Sequence, residues 1–565
     1  MKILESRRLT GRGLILDHAG AVLDLAFADD DTVGDDASAE RAIALWREHA
    51  RRLLDALGWS AETLAVRRFG GGASLAFSAP IDALYTATEV NETAWALTVA
   101  ELAGKPGPSS SREEVERLAE RIRAEANPPL LALRAAAAAH GVAFLWDDEE
   151  ATVGLGSGSH TFKVAALPPP QEVDWTSVHD VPVALVTGTN GKTTTVRLTA
   201  AMAMRAGRRV GSTSTDHVQV GDEVLDQGDF SGPGGARTLL RDRRVEMAIL
   251  ETARGGLLRR GLSVERADAA LVTNIAADHL GEYGIYDLPS LAEAKLVVAQ
   301  VVPASGRVIL NADDPQLSRF PKTWPAPVTW FSLEPERPEL LAHLAAGGEA
   351  ALLVGDALVL ARGGKREVVA RLAEVPIAHG GAARHNVLNA LAAIALAAAL
   401  GLPPAAMTIG LAHFGKAPED NPGRANLFEI GGVHVLLDYA HNPHGLRALL
   451  DFARTLEAKR RLLLLGQAGD RDDSSLRELA QTAWSLRPDR IVLKELPSML
   501  RGRAPGEVPD LLEAELRRLG APANSLARAG SDVEAVESAL AWAKPGDLLV
   551  LLVHTDRDAV LARLS

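Results

Sequence analysis

A short apolar run, VALVT, ends in the turn TGTNGKTT (residues 187–194) and passes into an amphipathic segment. Gly188 and Gly191 let the backbone turn tightly through Thr189 and Asn190, so that its N–H groups can face a phosphate. Lys192 brings a point charge to the outer phosphates, Thr193 offers a hydroxyl to Mg²⁺, and Thr194 extends the hydroxyl run. A helix over 196–205 would add the positive end of its dipole. Residues of these types at this spacing hold a nucleoside triphosphate. The longer G-x-x-x-x-G-K-[ST] pattern would require glycine at 186, where this chain has Val186.

Further chemistry-bearing residues stand at the ends of strand-like runs. Glu251 follows MAIL, and His279 lies in VTNIAADHLGEYG, with Lys295 sixteen residues on in LAEAKLVVA. Asn386 and Asn389 in RHNVLNALAA fall on one helix face. Arg424 sits in PGR, and Asp438 and His441 in LLDYAHNP. Singly, each has an ordinary reading: a solvated carboxylate, a structural histidine, a surface lysine, a hinge arginine. Their joint order along the chain is not generic.

The elements that must position them follow from periodicity. From 181 to about 421, apolar runs (VPVALVTG, MAILETA, AALVTNI, GRVILNADD) alternate with helical patterns, which predicts a parallel sheet covered by helices. A break at GKAPEDNPGR precedes a second, smaller α/β alternation over 422–565. Residues 1–166 read as α+β, with a strand at 20–28, a helix at 38–57, a capping box from Ser111 to Glu114 opening a helix over 111–126, and another helix at 128–141. The proline-rich stretch 167–180 is the linker.

The 565 residues are 47% hydrophobic and 24% charged, with a net charge of −13 and no cysteine. This is a globular composition that excludes disulfides and thiolate sites. The acidic balance argues against nucleic acid as a partner. No run is long and apolar enough for a membrane helix, and the N-terminus lacks a signal-peptide core, so a cytoplasmic protein is expected.

The turn TGTNGKTT, with LETARGG, N-x-x-x-DH, NADDP, HN-x-x-N and DYAH-x-P, resembles the Mur ligase superfamily over residues 181–565. Within it the chain is closest to cyanophycin synthetases, through GDFSGPGGART (228–238), ETARGGLLRRGL (251–262) and RGRAPGEVPDLL (501–512). The resemblance implies a central P-loop ATPase domain, a smaller C-terminal α/β domain and an ATP-dependent amide ligase acting through an acyl phosphate. It assigns ATP to the turn, to Asn386 (adenine), to Asn389 on the same helix face, to Arg424 (triphosphate) and to Asp438 (ribose). It assigns two Mg²⁺ ions to Thr193, Glu251, His279 and a carbamylated Lys295, and places His441 near the reacting groups.

The same resemblance suggests arginine or a similar amino acid and an aspartyl compound as substrates, and a homo-oligomer as the assembly. Residues 1–166 resemble the opening domain of cyanophycin synthetases, but Asn91 stands where a histidine is expected, and no ATP-grasp domain fits between 166 and 181. A peptidoglycan- or folylpolyglutamate-type ligase and a non-catalytic nucleotide-binding scaffold remain the alternatives.

Overall fold

The phosphate-binding turn lies at the end of a strand, Val183–Thr187, whose five residues are all buried. A continuous apolar run of this kind is what a strand covered on both faces requires. The computed structural model describes residues 1–27, 36–104 and 112–564, so Ser111 and its expected capping box lie outside the described residues. The helix it would open runs from Arg112 to Glu125.

Val183–Thr187 is the third of seven parallel strands, in the order 210–213, 247–251, 183–187, 269–272, 307–311, 328–332 and 349–354. Antiparallel strands extend both edges to eleven in all. The chain leaves Val183–Thr187 for one side of the sheet and returns to its other side at Ala269–Val272. A crevice therefore opens beyond its carboxyl end, where ligands bind in doubly wound sheets. One face is packed by helices Lys192–Arg205 and Arg384–Ala399 through Val196, Met202, Leu391 and Ile394. The other is packed through Leu257, Leu291 and Val298.

Helix Lys192–Arg205 begins four residues earlier than periodicity indicated. Gly191, at φ 85°, turns the chain so sharply that Lys192 is already helical. Lys192, Thr193 and Thr194 are therefore first-turn residues.

The C-terminal sheet has six strands, in the order 426–430, 433–438, 548–552, 461–465, 490–494 and 526–529. Only the first pair is antiparallel. At the N-terminal end, four antiparallel strands (2–9, 20–26, 72–78 and 64–69) pack against helices Asp36–Ala56 and Leu84–Leu102. Asn91 is fully buried there: it accepts from Trp46 Nε1 at 2.9 Å and donates to the Leu75 carbonyl at 3.0 Å. Those two bonds account for an asparagine in an apolar core. Among the described residues no helix is long and apolar enough to cross a membrane.

The N-terminal region is bonded directly to the central one. Thr10 N donates to the Arg260 carbonyl at 2.8 Å, and Leu262 N to the Arg12 carbonyl at 2.7 Å. Arg241 reaches Asp147 at 2.7 Å and the Thr152 hydroxyl at 3.1 Å.

Candidate functional site

The turn 187–191 is braced from the neighbouring strand. Thr189 N donates to the Asn274 carbonyl at 2.9 Å and Asn190 N to Asn274 Oδ1 at 3.0 Å. Thr273 Oγ1 and Asn274 Nδ2 both donate to the Asn190 carbonyl. This corrects the expectation that the whole turn points its N–H groups at a phosphate, because Thr189 and Asn190 spend theirs on the scaffold. The donors left for an anion are those of the helix's first turn, from Gly191 to Thr194, which a helix cannot satisfy internally. Gly191 is required twice over. Its φ is left-handed, and a Cβ there would lie 2.2 Å from Asn389 Oδ1.

Lys192 Nζ donates to the Thr189 carbonyl at 3.1 Å, at the mouth of this anion site. Thr193 Oγ1 donates to Glu251 Oε2 at 2.8 Å. Glu251 is 2% exposed, and its Oε1, also buried, has no hydrogen-bond partner. Burial pushes its pKa up, with Lys192 opposing. A buried carboxylate oxygen without a partner, beside a hydroxyl and a phosphate site, suits a hard cation such as Mg²⁺. Thr193 and Glu251 thus fit the metal role expected of them.

These residues line a cavity of about 190 Å³ together with Asn386, Asn389, Arg424, Asp438 and His441. Asn389 Nδ2 donates to Asn386 Oδ1 at 3.2 Å, and Asn386 Nδ2 to the Ile377 carbonyl at 3.1 Å. Asp438 accepts from Ala425 N and Ala440 N, both at 2.7 Å, so it also ties the interdomain segment to the C-terminal sheet. Arg424 lies over the Tyr439 ring, 4.3 Å from its centroid. The Thr194 hydroxyl accepts from Asn421 Nδ2 at 3.2 Å.

His279 and Lys295 border a second cavity, of about 520 Å³, which shares Thr189, Lys192, Thr215, Tyr439 and His441 with the first and also takes in Gly188. Lys295 is 5% exposed and donates to the Gly188 carbonyl at 2.9 Å. Burial, then Lys192 beside it, hold its pKa well below the ordinary lysine value. His279 is held at about 4, chiefly by burial, so it is neutral near pH 7. Both its ring nitrogens face Arg471, at 3.0 and 2.9 Å. The structure therefore brings Thr193 and Glu251 together, and His279 and Lys295 to the neighbouring cavity.

Several contributors escaped the sequence reading. Asp278 and Arg471 form an interdomain pair. Asp216 accepts from Arg197 and Arg557, both at 2.7 Å, with Arg424 at 4.0 Å. Asn442 Nδ2 donates to Asn190 Oδ1 at 2.9 Å, and Asn190 Nδ2 to Asn442 Oδ1 at 3.2 Å. For Arg471 the run GDRDD was the available signal. For Asp216 a lone acid in STSTDH gave none.

Two domain families match this arrangement, the Mur ligase middle domain over residues 186–397 and the Mur ligase glutamate ligase domain over 423–552. The chain belongs to the Mur ligase family. The matched stretches contain the turn 187–194 and Glu251, His279, Lys295, Asn386, Asn389, Arg424, Asp438 and His441. Cyanophycin synthetase from Synechocystis sp. is 42% identical over 332 residues, which is 59% of this chain and 38% of that protein. The enzyme of the same name from Trichormus variabilis is 36% identical over 380 residues, 67% of this chain and 42% of its own. The chain thus spans about two fifths of these curated relatives. The UDP-N-acetylmuramoyl-L-alanyl-D-glutamate–2,6-diaminopimelate ligase of Geobacter metallireducens is 29% identical, covering 66% of this chain and 73% of that Mur ligase. Among solved structures, E. coli FolC in complex with DHPP and ADP aligns with a TM-score of 0.51 over 68% of this chain and 89% of FolC. At 23% identity that likeness is one of fold.

Proposed function

We propose that this Mur ligase family member is an ATP-dependent, ADP-forming carboxylate–amine ligase that joins arginine or a similar amino acid to an aspartyl carboxylate through an acyl phosphate. The observation that carries the reading is the buried Thr193–Glu251 pair with its unpartnered carboxylate oxygen, set at the helix N-terminus beside Lys192. Residues 1–166, 181–421 and 422–565 are its three working parts, with the linker 167–180 between the first two.

A substrate carboxylate attacks the γ-phosphorus of ATP, and ADP leaves. The amine then displaces phosphate from the acyl phosphate. Lys192 and the first-turn N–H groups stabilise the charge that shifts toward the leaving oxygen. Thr193 and Glu251 would hold Mg²⁺, which would supply charge neutralisation on the phosphates; His279 and a carbamylated Lys295 would hold a second ion, for which His279 must turn from Arg471. His441 and Tyr439, common to both cavities, bring the C-terminal domain over the reacting atoms and exclude water from the acyl phosphate.

Phosphate release, with ATP, Mg²⁺ and pairs of amino acids or aspartyl peptides, followed by mass spectrometry of the product, tests this. One amide bond per ATP on an existing aspartyl compound is expected. No long branched polymer should form from free aspartate and arginine, because one ATP site makes one bond type. No turnover with any pair, or hydrolysis of ATP without a ligated product, would overturn the reading.

A further inference from the structure

The segment that carries Asp278 and His279 is held in an unfavourable backbone. His279 (φ 53°), Gly281 (φ 98°), Tyr283 (φ 54°) and Gly284 (φ 69°) are all left-handed within six residues. Non-glycine residues persist there only where their surroundings over-determine them. Part of that surrounding is internal: Gly281 N donates to the Ile285 carbonyl at 2.8 Å, and Ile285 is fully buried.

The rest comes from the N-terminal domain. Arg67 donates to the Gly284 carbonyl at 3.0 Å, and its other terminal nitrogen lies 3.6 Å from Glu293, on the helix that carries Lys295. Phe69, two residues on, packs against Gly284 so closely that a Cβ there would lie 2.3 Å from Phe69 Cδ1. The Phe69 ring also sits 5.9 Å from that of Tyr286. Arg7 lies over the Tyr283 ring at 5.1 Å and donates to the Leu258 carbonyl at 3.2 Å.

We propose that the N-terminal domain is part of the ligase site, with Arg67 as a positioning residue that fixes the 278–286 loop and the Lys295 helix relative to the phosphate-binding turn. The guanidinium fork suits this task, because one planar group spans a loop carbonyl and a helix carboxylate. The inference rests on the ligase reading only for its catalytic consequence.

Hydrogen–deuterium exchange on the full chain compares wild type with Arg67→Ala, Arg67→Lys and Gly284→Ala. Peptides covering 278–287 should exchange about tenfold faster or more in Arg67→Ala and Gly284→Ala, at a rate between in Arg67→Lys, and at the wild-type rate in the control Arg112→Ala. Peptides from 20–26 and 183–205 should keep their wild-type rates. In turnover, the half-saturating Mg²⁺ concentration should rise about threefold or more in Arg67→Ala, while KM for ATP stays within about twofold. Unchanged exchange at 278–287, or equal acceleration at 20–26, would overturn the proposal and leave Arg67 a general packing residue. The exchange arm needs no substrate. An inactive wild type would sink the proposed function while the loop rates still decide this inference.

Discussion

Asp278 of the central domain and Arg471 of the C-terminal domain meet at 3.1 Å across the cleft that holds both cavities. His441 adds a second contact to the same carboxylate at 3.4 Å. Burial alone would raise the Asp278 pKa, but the hydrogen bond and charge of His441, with His279 and Arg471 beside it, hold the carboxyl far below the ordinary range. These contacts hold the two domains together across the cleft, beside both cavities.

Breaking that pair should cost closure. Asp278→Asn and Arg471→Ala should each lower kcat/KM by about tenfold to a hundredfold, since each removes the ion pair that joins the domains and leaves Arg471 with Asp470 alone, or Asp278 with His441 alone. The double variant should lose little more than either, giving a coupling of about 1–3 kcal/mol. Small-angle scattering should show expansion in all three. Additive losses would mean that the two residues act independently.

Lys192→Ala should abolish ligation and leave the fold intact, because the side chain bonds only to its own turn. A variant that keeps more than about a tenth of wild-type turnover, a loss under ~1.4 kcal/mol, contradicts the assigned role. Circular dichroism and Tm serve as the folding check.

Glu251→Gln separates metal holding from packing. The amide is isosteric and relieves a buried charge, so Tm should hold or rise by up to about 2 °C. Activity should drop at least about a hundredfold at saturating Mg²⁺. Mg²⁺-dependent tightening of ATP binding, read by calorimetry, should vanish.

Carbamylation needs a neutral amine, and burial shifts Lys295 toward that form by holding its pKa well below the ordinary lysine value. Intact-protein mass spectrometry under bicarbonate should find a carbamate at Lys295. Lys295→Ala should lose activity, with partial recovery in acetate or bicarbonate. Full activity of that variant without additives would make the lysine structural.

His385 lines the first cavity, and its pKa is held at about 4, by burial first and by His379 second. The unfolded value is about 6.5, so between those two pH values the unfolded chain binds more protons than the folded one. Stability should therefore rise with pH across that window and level off above it. His385→Gln should flatten the rise by up to about one proton, measured as Tm against pH. An unchanged slope would place the titration elsewhere.

The parallel sheet and the anion site were legible because both are local. A continuous apolar strand, a glycine turn and Lys-Thr lie within twenty residues, and Thr193 and Glu251 each close a strand-to-helix junction. What the sequence could not display was assembly across domains. Asp278 takes its ionic partners, and Asp216 two of its three, from beyond residue 423, at separations no periodicity encodes. The start of the helix at Lys192 was hidden for a smaller reason: threonines are poor helix formers, and only the fixed left-handed Gly191 makes them a first turn.

The reciprocal amide pair Asn190–Asn442 carries no net charge, whereas the Asp278–Arg471 contact is ionic. Ionic strength therefore acts unequally on two bonds that close the same cleft. At 1 M salt, where the screening length shrinks to about 3 Å, the ionic contact weakens in part, its side chains being mostly shielded from solvent, and the amide pair does not. The cleft should then loosen on the Arg471 side, over the second cavity, while remaining pinned at the phosphate-binding turn. On the proposed ligase reading, concentrated salt would open the second cavity to water before it frees the phosphate-binding turn, and uncouple ATP consumption from bond formation.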